Sequence, residues 1–196
     1  MADPISVKAI AKLPVLDYAQ VREQLHTGDL VFCSGTYVFS RAIQWVTKSV
    51  WSHVGIIYRD DHLERIFVLE SETAIGVRLA PLSKYLRDYH GRNKPYKGRI
   101  VIGRLTPEPD VDSLKKVISF GMDELTRPYD NWEILRIALR ILFRRGRKNR
   151  DRRYICSELV YEAYRKVDLR FSFHHHSISP DDIWQDQRVV PQCRIM

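Results

Sequence analysis

Ser52-His53-Val54-Gly55-Ile56-Ile57-Tyr58, the linker Arg59-Asp60-Asp61-His62-Leu63-Glu64-Arg65, and Ile66-Phe67-Val68-Leu69-Glu70 form the stretch on which the fold turns. Two short apolar runs rich in β-branched residues, joined by a mostly polar segment, read as a β-hairpin. A histidine opens the first run and a glutamate closes the second, so antiparallel pairing returns Glu70 to the side of His53. Glu72 would project from the same face of a continued strand and is the reserve candidate for the same role.

Working outward on the N-terminal side, His26-Thr27-Gly28-Asp29 reads as a turn, with Asp29 a turn residue, into the strand Leu30-Val31-Phe32-Cys33. Asp17 caps a short helix to His26, with Val21 and Leu25 four apart, and Tyr37 to Lys48 has helical spacing at Phe39, Ile43 and Val46. On the C-terminal side, Gly76 to Leu79 and Arg99 to Leu105 add strands, and Pro81 to Tyr89 between them is a helical turn or loop. Pro107-Glu108-Pro109-Asp110 breaks the chain before a helix capped by Asp112 and running to about Leu125. Asn131 to Arg145 and Cys156 to Val167 are further helices; the tail from Asp168 is irregular, with Ser179-Pro180-Asp181-Asp182 capping one more turn. Prolines at 4 and 14 make residues 1–16 a loose N-terminal arm on a single domain, 17–196. An antiparallel sheet followed by helices packed on it is an α+β fold.

Composition bounds the function. The apolar fraction of 44% supports a core in a chain of 196 residues. There is no run of about 18 uncharged apolar residues and no basic, then apolar, leader at the start. The chain therefore reads as cytoplasmic, or exported without a recognisable signal peptide, with no transmembrane segment. Cys33, Cys156 and Cys193 are an odd set without CxxC spacing, which argues against a disulfide framework or a zinc site. The net charge of +8 is concentrated, because Arg144 to Arg153 holds seven of the 32 Lys and Arg residues.

Cys156 opens an amphipathic helix, Tyr154-Ile155-Cys156-Ser157-Glu158-Leu159-Val160, on which Leu159, Val160, Ala163 and Tyr164 face the core. Free cysteines are ordinarily small core residues. At a helix N-terminus, however, unpaired N–H groups and the positive end of the dipole favour the thiolate and can hold an oxyanion. A thiolate nucleophile needs a base, and His53 can supply it if a carboxylate, Glu70, fixes the imidazole.

In order, Gly28-Asp29-Leu30, Ser52-His53-Val54-Gly55-Ile56 and Cys156-Ser157-Glu158-Leu159-Val160 resemble the NlpC/P60 papain-like superfamily. The cysteine helix follows the histidine strand by about 100 residues instead of preceding it. That order is similar to the circularly permuted branch, which includes YiiX/YebB-like proteins and lecithin retinol acyltransferase-like enzymes. Arg127-Pro128-Tyr129-Asp130 resembles the Pro-Tyr-Asp stretch of the YiiX-like members. The resemblance implies a permuted papain-like fold and a Cys156–His53–Glu70 triad cleaving an amide, as in a peptidoglycan-type peptide. The acyltransferases carry Asn-Cys-Glu-His where this chain has Ile155-Cys156-Ser157-Glu158, which favours the YiiX-like side. A lipid acyl hydrolase or acyltransferase of the same fold, and a non-catalytic membrane- or anion-binding module, are the alternatives.

This chemistry requires no metal or organic cofactor. The consecutive His174-His175-His176 point in different directions and read as a solvated loop rather than a metal site. The helix of Trp132, Leu135, Leu139 and Leu142 carries Arg136, Arg140 and Arg144 on another side, and the basic run to Arg153 fits an anionic membrane surface or a solvated face equally well. Nucleic acid is disfavoured as a partner, because no aromatic stacking pattern accompanies that run. Tyr37 and Tyr129 are packing residues or cleft residues.

Overall fold

The computed structural model of the protein describes residues 7–72, 75–126, 155–172 and 178–196. The expected helix 131–145, the Arg136–Arg153 surface, the stretch from Arg127 to Asp130 with Tyr129, and His174 to His176 lie outside the described residues.

Strands β1 (Val15–Leu16), β2 (Leu30–Gly35), β3 (His53–Asp60), β4 (Arg65–Glu72), β5 (Gly76–Pro81), β6 (Gly98–Leu105) and β7 (Val189–Ile195) form one sheet. Their order is β1-β7-β6-β2-β3-β4-β5, antiparallel throughout except for the β1–β7 pair. The helices are α1 (Val7–Lys12), α2 (Tyr18–Val21), α3 (Val38–Thr47), α4 (Leu82–Arg87), α5 (Val111–Asp123), α6 (Cys156–Arg165) and α7 (Pro180–Trp184). The fold is α+β, as the sequence predicts.

The sheet is covered on both faces, which is why its central strands read as continuous apolar runs rather than alternating ones. Leu30, Phe32, Val54, Ile56 and Leu69 meet α5 and α6 on one face. Val31, Cys33, Ile57, Ile66 and Val68 meet Leu82 and Tyr85 of α4, with Val21 and Leu25, on the other. Of α6, Leu159, Val160, Ala163 and Tyr164 are fully buried, and burying the Leu159 and Val160 side chains contributes roughly 1.5–3 kcal/mol each.

The hairpin β3–β4 forms where expected, with Ile56 opposite Leu69 and Tyr58 opposite Phe67. Other boundaries shift for identifiable reasons. Asp110, not Asp112, caps α5: its carboxylate accepts the Ser113 N–H at 2.9 Å, while Asp112 sits inside the first turn beside Lys115. Residues 7–16, read as part of a loose arm, are structured: Ile10 is 1% exposed in the core, and β1 pairs with β7. The tail is not irregular to its end. Ser179 caps α7, and β7 inserts between β1 and β6, with a register shift opposite Ile102 and Gly103. Asp29 is more than a turn residue: it is buried and takes Arg104 on both carboxylate oxygens at 2.7 Å, tying the start of β2 to β6. No helix among the described residues is long and apolar enough to cross a membrane.

Candidate active site

Cys156 is the first residue of α6, so its N–H, like that of Ser157, has no acceptor within the helix. The helix is anchored at both ends. The buried Ser157 hydroxyl donates to the Ile178 carbonyl at 2.8 Å, and the Tyr164 hydroxyl donates to the Gly28 carbonyl at 2.6 Å. Glu158 reaches back to accept the Ile155 N–H at 3.3 Å, closing the first turn. With Leu159 and Val160 in the core, the helix packs across β3 and β4 and brings Cys156 to the first residues of β3.

His53 begins β3, paired with Cys33 of β2. Its Nε2 lies 2.5 Å from Oε2 of Glu70, and the Cys156 thiol is the other charged neighbour of the ring. Continuing the β3–β4 register from Ile56 and Leu69 sets Gly55, not His53, opposite Glu70. The carboxylate therefore reaches diagonally past a residue with no side chain. A Cβ on Gly55 would come within 2.6 Å of Val68 Cγ1 and 3.3 Å of Glu70 Cβ.

Glu70 is fully buried yet ionised. Arg78 Nε donates to its Oε1 at 2.8 Å, and the Tyr85 hydroxyl donates to Oε2. Burial by itself raises the Glu70 pKa, but His53, Arg78 and Tyr85 outweigh it and hold the group at about 2. Burial likewise works against the His53 imidazolium; Cys156 and Glu70 on either side reverse this and carry it to about 10. For Cys156, burial opposes ionisation, whereas His53 and the backbone N–H groups of Val54 and Ser157 favour the thiolate and lower its pKa on balance. The other two thiols go the opposite way, Cys33 and Cys193 both being raised, chiefly by burial. An ion-paired thiolate beside a fixed imidazolium can attack an electrophilic carbon and then protonate a leaving group.

All three residues singled out in the sequence are thus brought together. Glu72 is on β4 as expected, but the carboxylate on His53 belongs to Glu70. Arg78 and Tyr85 were missed. Arg78 had a signal: it lies directly opposite Glu70 across the β4–β5 pair and follows from extending the hairpin by one strand. Tyr85 comes from α4, and nothing in the local sequence ties it to Glu70. Tyr37, offered as a packing or cleft residue, stacks at 6.2 Å on Tyr89, which in turn packs on Tyr85 and Tyr96.

A sheet with the cysteine helix following the histidine strand defines a permuted papain-like protein. A family model described as "Permuted papain-like amidase enzyme, YaeF/YiiX, C92 family" matches residues 24–193, and the chain belongs to that family. It is 27% identical over 148 residues to the uncharacterized protein YiiX of Escherichia coli (strain K12), covering 74% of this chain and 59% of that protein's length. A crystal structure titled as metalloprotein yiiX from Escherichia coli O157:H7 shares the fold, with a TM-score of 0.65 at 19% identity. It covers 87% of this chain and 98% of that one. Among the described residues here, no three or more His, Cys, Asp or Glu side chains are grouped to hold a metal ion.

Proposed function

We propose that the protein is a cysteine hydrolase that cleaves an amide bond in a peptide-like substrate of the peptidoglycan type, through Cys156, His53 and Glu70. The observation that carries this is the meeting of the three side chains, with the imidazole held at 2.5 Å on the buried Glu70 carboxylate and the half-buried Cys156 thiol beside it. Membership of a permuted papain-like amidase family supports the amide over the ester.

In the first step the Cys156 sulfur bonds to the carbonyl carbon, and the oxygen takes the negative charge. The Cys156 N–H, which has no acceptor within the helix it heads, can stabilise that oxyanion. His53 gives its proton to the leaving amine as the C–N bond breaks, leaving a thioester. Water then attacks the thioester carbon and passes a proton to His53; the C–S bond breaks and the thiolate returns. Glu70 keeps the imidazole oriented and stabilises its charged form throughout.

Two measurements test this. Iodoacetamide near neutral pH is expected to label Cys156 at least about tenfold faster than Cys33 or Cys193, with the preference lost in His53→Ala. Equal labelling of the three thiols, or a preference untouched by His53→Ala, would sink the nucleophile. Incubation of the wild type and Cys156→Ala with muropeptides and, separately, with phospholipids then reads the bond class. A Cys156-dependent amide product is expected. An acyl product alone would transfer the protein to lipid chemistry, and no product from either substrate would leave a binding module.

A further inference from the structure

Helix α3 leaves the end of β2 at Gly35, and the pairing of Cys33 with His53 puts that end of the sheet beside the candidate active site. Its outward side is unusual. Val38, Arg41, Ala42 and Trp45 are exposed at spacings of three and four, the stripe that in a surface helix normally faces a core. Val38 is 88% and Trp45 74% exposed. Elsewhere on the helix, the half-buried Gln44 donates to the Gly35 carbonyl at 2.9 Å. The helix therefore shows two large apolar side chains, Val38 and Trp45, to solvent.

Along the chain that carries this stripe the charges are all positive, with the Asp181 carboxylate accepting the Ser49 hydroxyl just past the end of the helix. No Asp or Glu occurs from residue 30 to residue 59, and Arg41 and Lys48 flank Trp45. The start of α3 touches a loop at residues 89–99: the Thr36 N–H donates to the Lys97 carbonyl at 2.9 Å. That loop carries Arg92, Lys94, Lys97 and Arg99, with the Asp88 carboxylate at its start accepting the Asn93 N–H at 2.8 Å. All six cations are exposed, and none enters an ion pair among the described residues. An exposed tryptophan and valine on a helix with exposed cations beside them in the chain and on the adjoining loop match a surface that lies in the headgroup region of an anionic bilayer, the indole at the interface and the cations at lipid phosphates.

We propose that the outward face of α3, with the cationic loop 89–99, docks the protein on an anionic phospholipid surface, at the end of the sheet that carries His53. The surface contains none of the three proposed catalytic residues, so it stands whether or not the chain hydrolyses amides.

Flotation of the full chain with phosphatidylcholine vesicles, and with vesicles also containing phosphatidylglycerol, tests it. The protein is expected to float with the anionic vesicles at least about tenfold more strongly than with the neutral ones, and to be released by salt. Val38→Ser/Trp45→Ser should weaken anionic binding about tenfold with thermal unfolding unchanged, since both side chains are exposed. Lys94→Glu/Lys97→Glu should weaken it comparably and flatten the salt dependence. Failure of the wild type to bind anionic vesicles overturns the proposal. So does full binding by the Val38→Ser/Trp45→Ser protein, which would move the contact to another surface. Displacement from vesicles by duplex DNA, with DNA affinity indifferent to Trp45, would make the patch a general polyanion site and overturn it as well.

Discussion

At the scale of single residues, Glu70 controls how the candidate site responds to pH. Its pKa is held at about 2, below the usual 4.5, so its ionised form adds stability above pH 4.5 and that contribution disappears as the pH falls towards 2. Glu70→Gln leaves His53 and Arg78 beside a neutral amide in a buried site and should cost about 3–5 kcal/mol near neutrality. Thermal melts of both proteins should show that gap close between pH 4.5 and 2; a gap independent of pH would mean that the buried carboxyl is not ionised. His53 shifts in the other direction, to about 10, so its charged form persists well past the usual 6.5. If it is the acid that protonates the leaving amine, kcat/KM for an amide substrate should stay level through pH 8 and fall only as His53 loses its proton near 10. A fall centred near 6.5 would contradict the proposed pairing with Glu70 and Cys156. The residue types at this site were legible in the sequence because strand alternation and an antiparallel turn suffice to pair His53 with Glu70. The clamp on Glu70 was only half legible: Arg78 follows from strand register, whereas Tyr85 arrives through the packing of α4 against the sheet.

At the scale of elements, the site depends on a gap in β3 and on a helix fixed at both ends. Gly55 occupies the strand position that Glu70 must cross to reach His53, and an added methyl would meet Val68 Cγ1 at 2.6 Å and the Leu69 carbonyl at 3.2 Å. Gly55→Ala should therefore displace the carboxylate and lower kcat/KM by about tenfold or more, as misplacement of a positioning group does. Labelling of Cys156 should slow in parallel, and unchanged labelling and turnover in Gly55→Ala would mean that Glu70 reaches His53 by another route. The elements that build the site were readable because each carries its own local signal: β-branched runs for β3 and β4, and an apolar 3.6-residue period for α6. Elements defined by distant partners were not. β7 contains Pro191 and polar Gln192 and Arg194, and it becomes a strand only because β6 and β1 flank it. The cap of α5 was misplaced by two residues because Asp110 and Asp112 are equally good caps by composition, and the choice falls to the one whose carboxylate reaches the Ser113 N–H.

At the scale of the molecule, the candidate site and the pairing of the N-terminal segment are placed apart on one sheet. His53, Glu70 and Arg78 lie on β3, β4 and β5, towards one edge, while β1 forms the other edge by parallel pairing of Val15 and Leu16 with Arg194 and Ile195. The prolines that suggested a loose arm have a different effect in the fold: the Pro14 carbonyl accepts the Arg194 N–H at 2.8 Å, and α1, just before it, buries Ile10 in the core. Pairing between the two ends of a chain leaves no periodic trace in either, so this contact was not legible in advance. It follows that residues 7–16 stabilise the domain. Ile10→Ala removes a side chain that is 1% exposed and should cost about 2–5 kcal/mol. In a chain of this size that lowers Tm by several degrees or more. Below the melting transition, the iodoacetamide rate at Cys156 should equal that of the wild type, because the substitution leaves the His53–Glu70 hydrogen bond and the Cys156 thiol chemically unchanged. A slower rate in folded Ile10→Ala protein would show that the N-terminal segment acts on the site through the core it shares with α6.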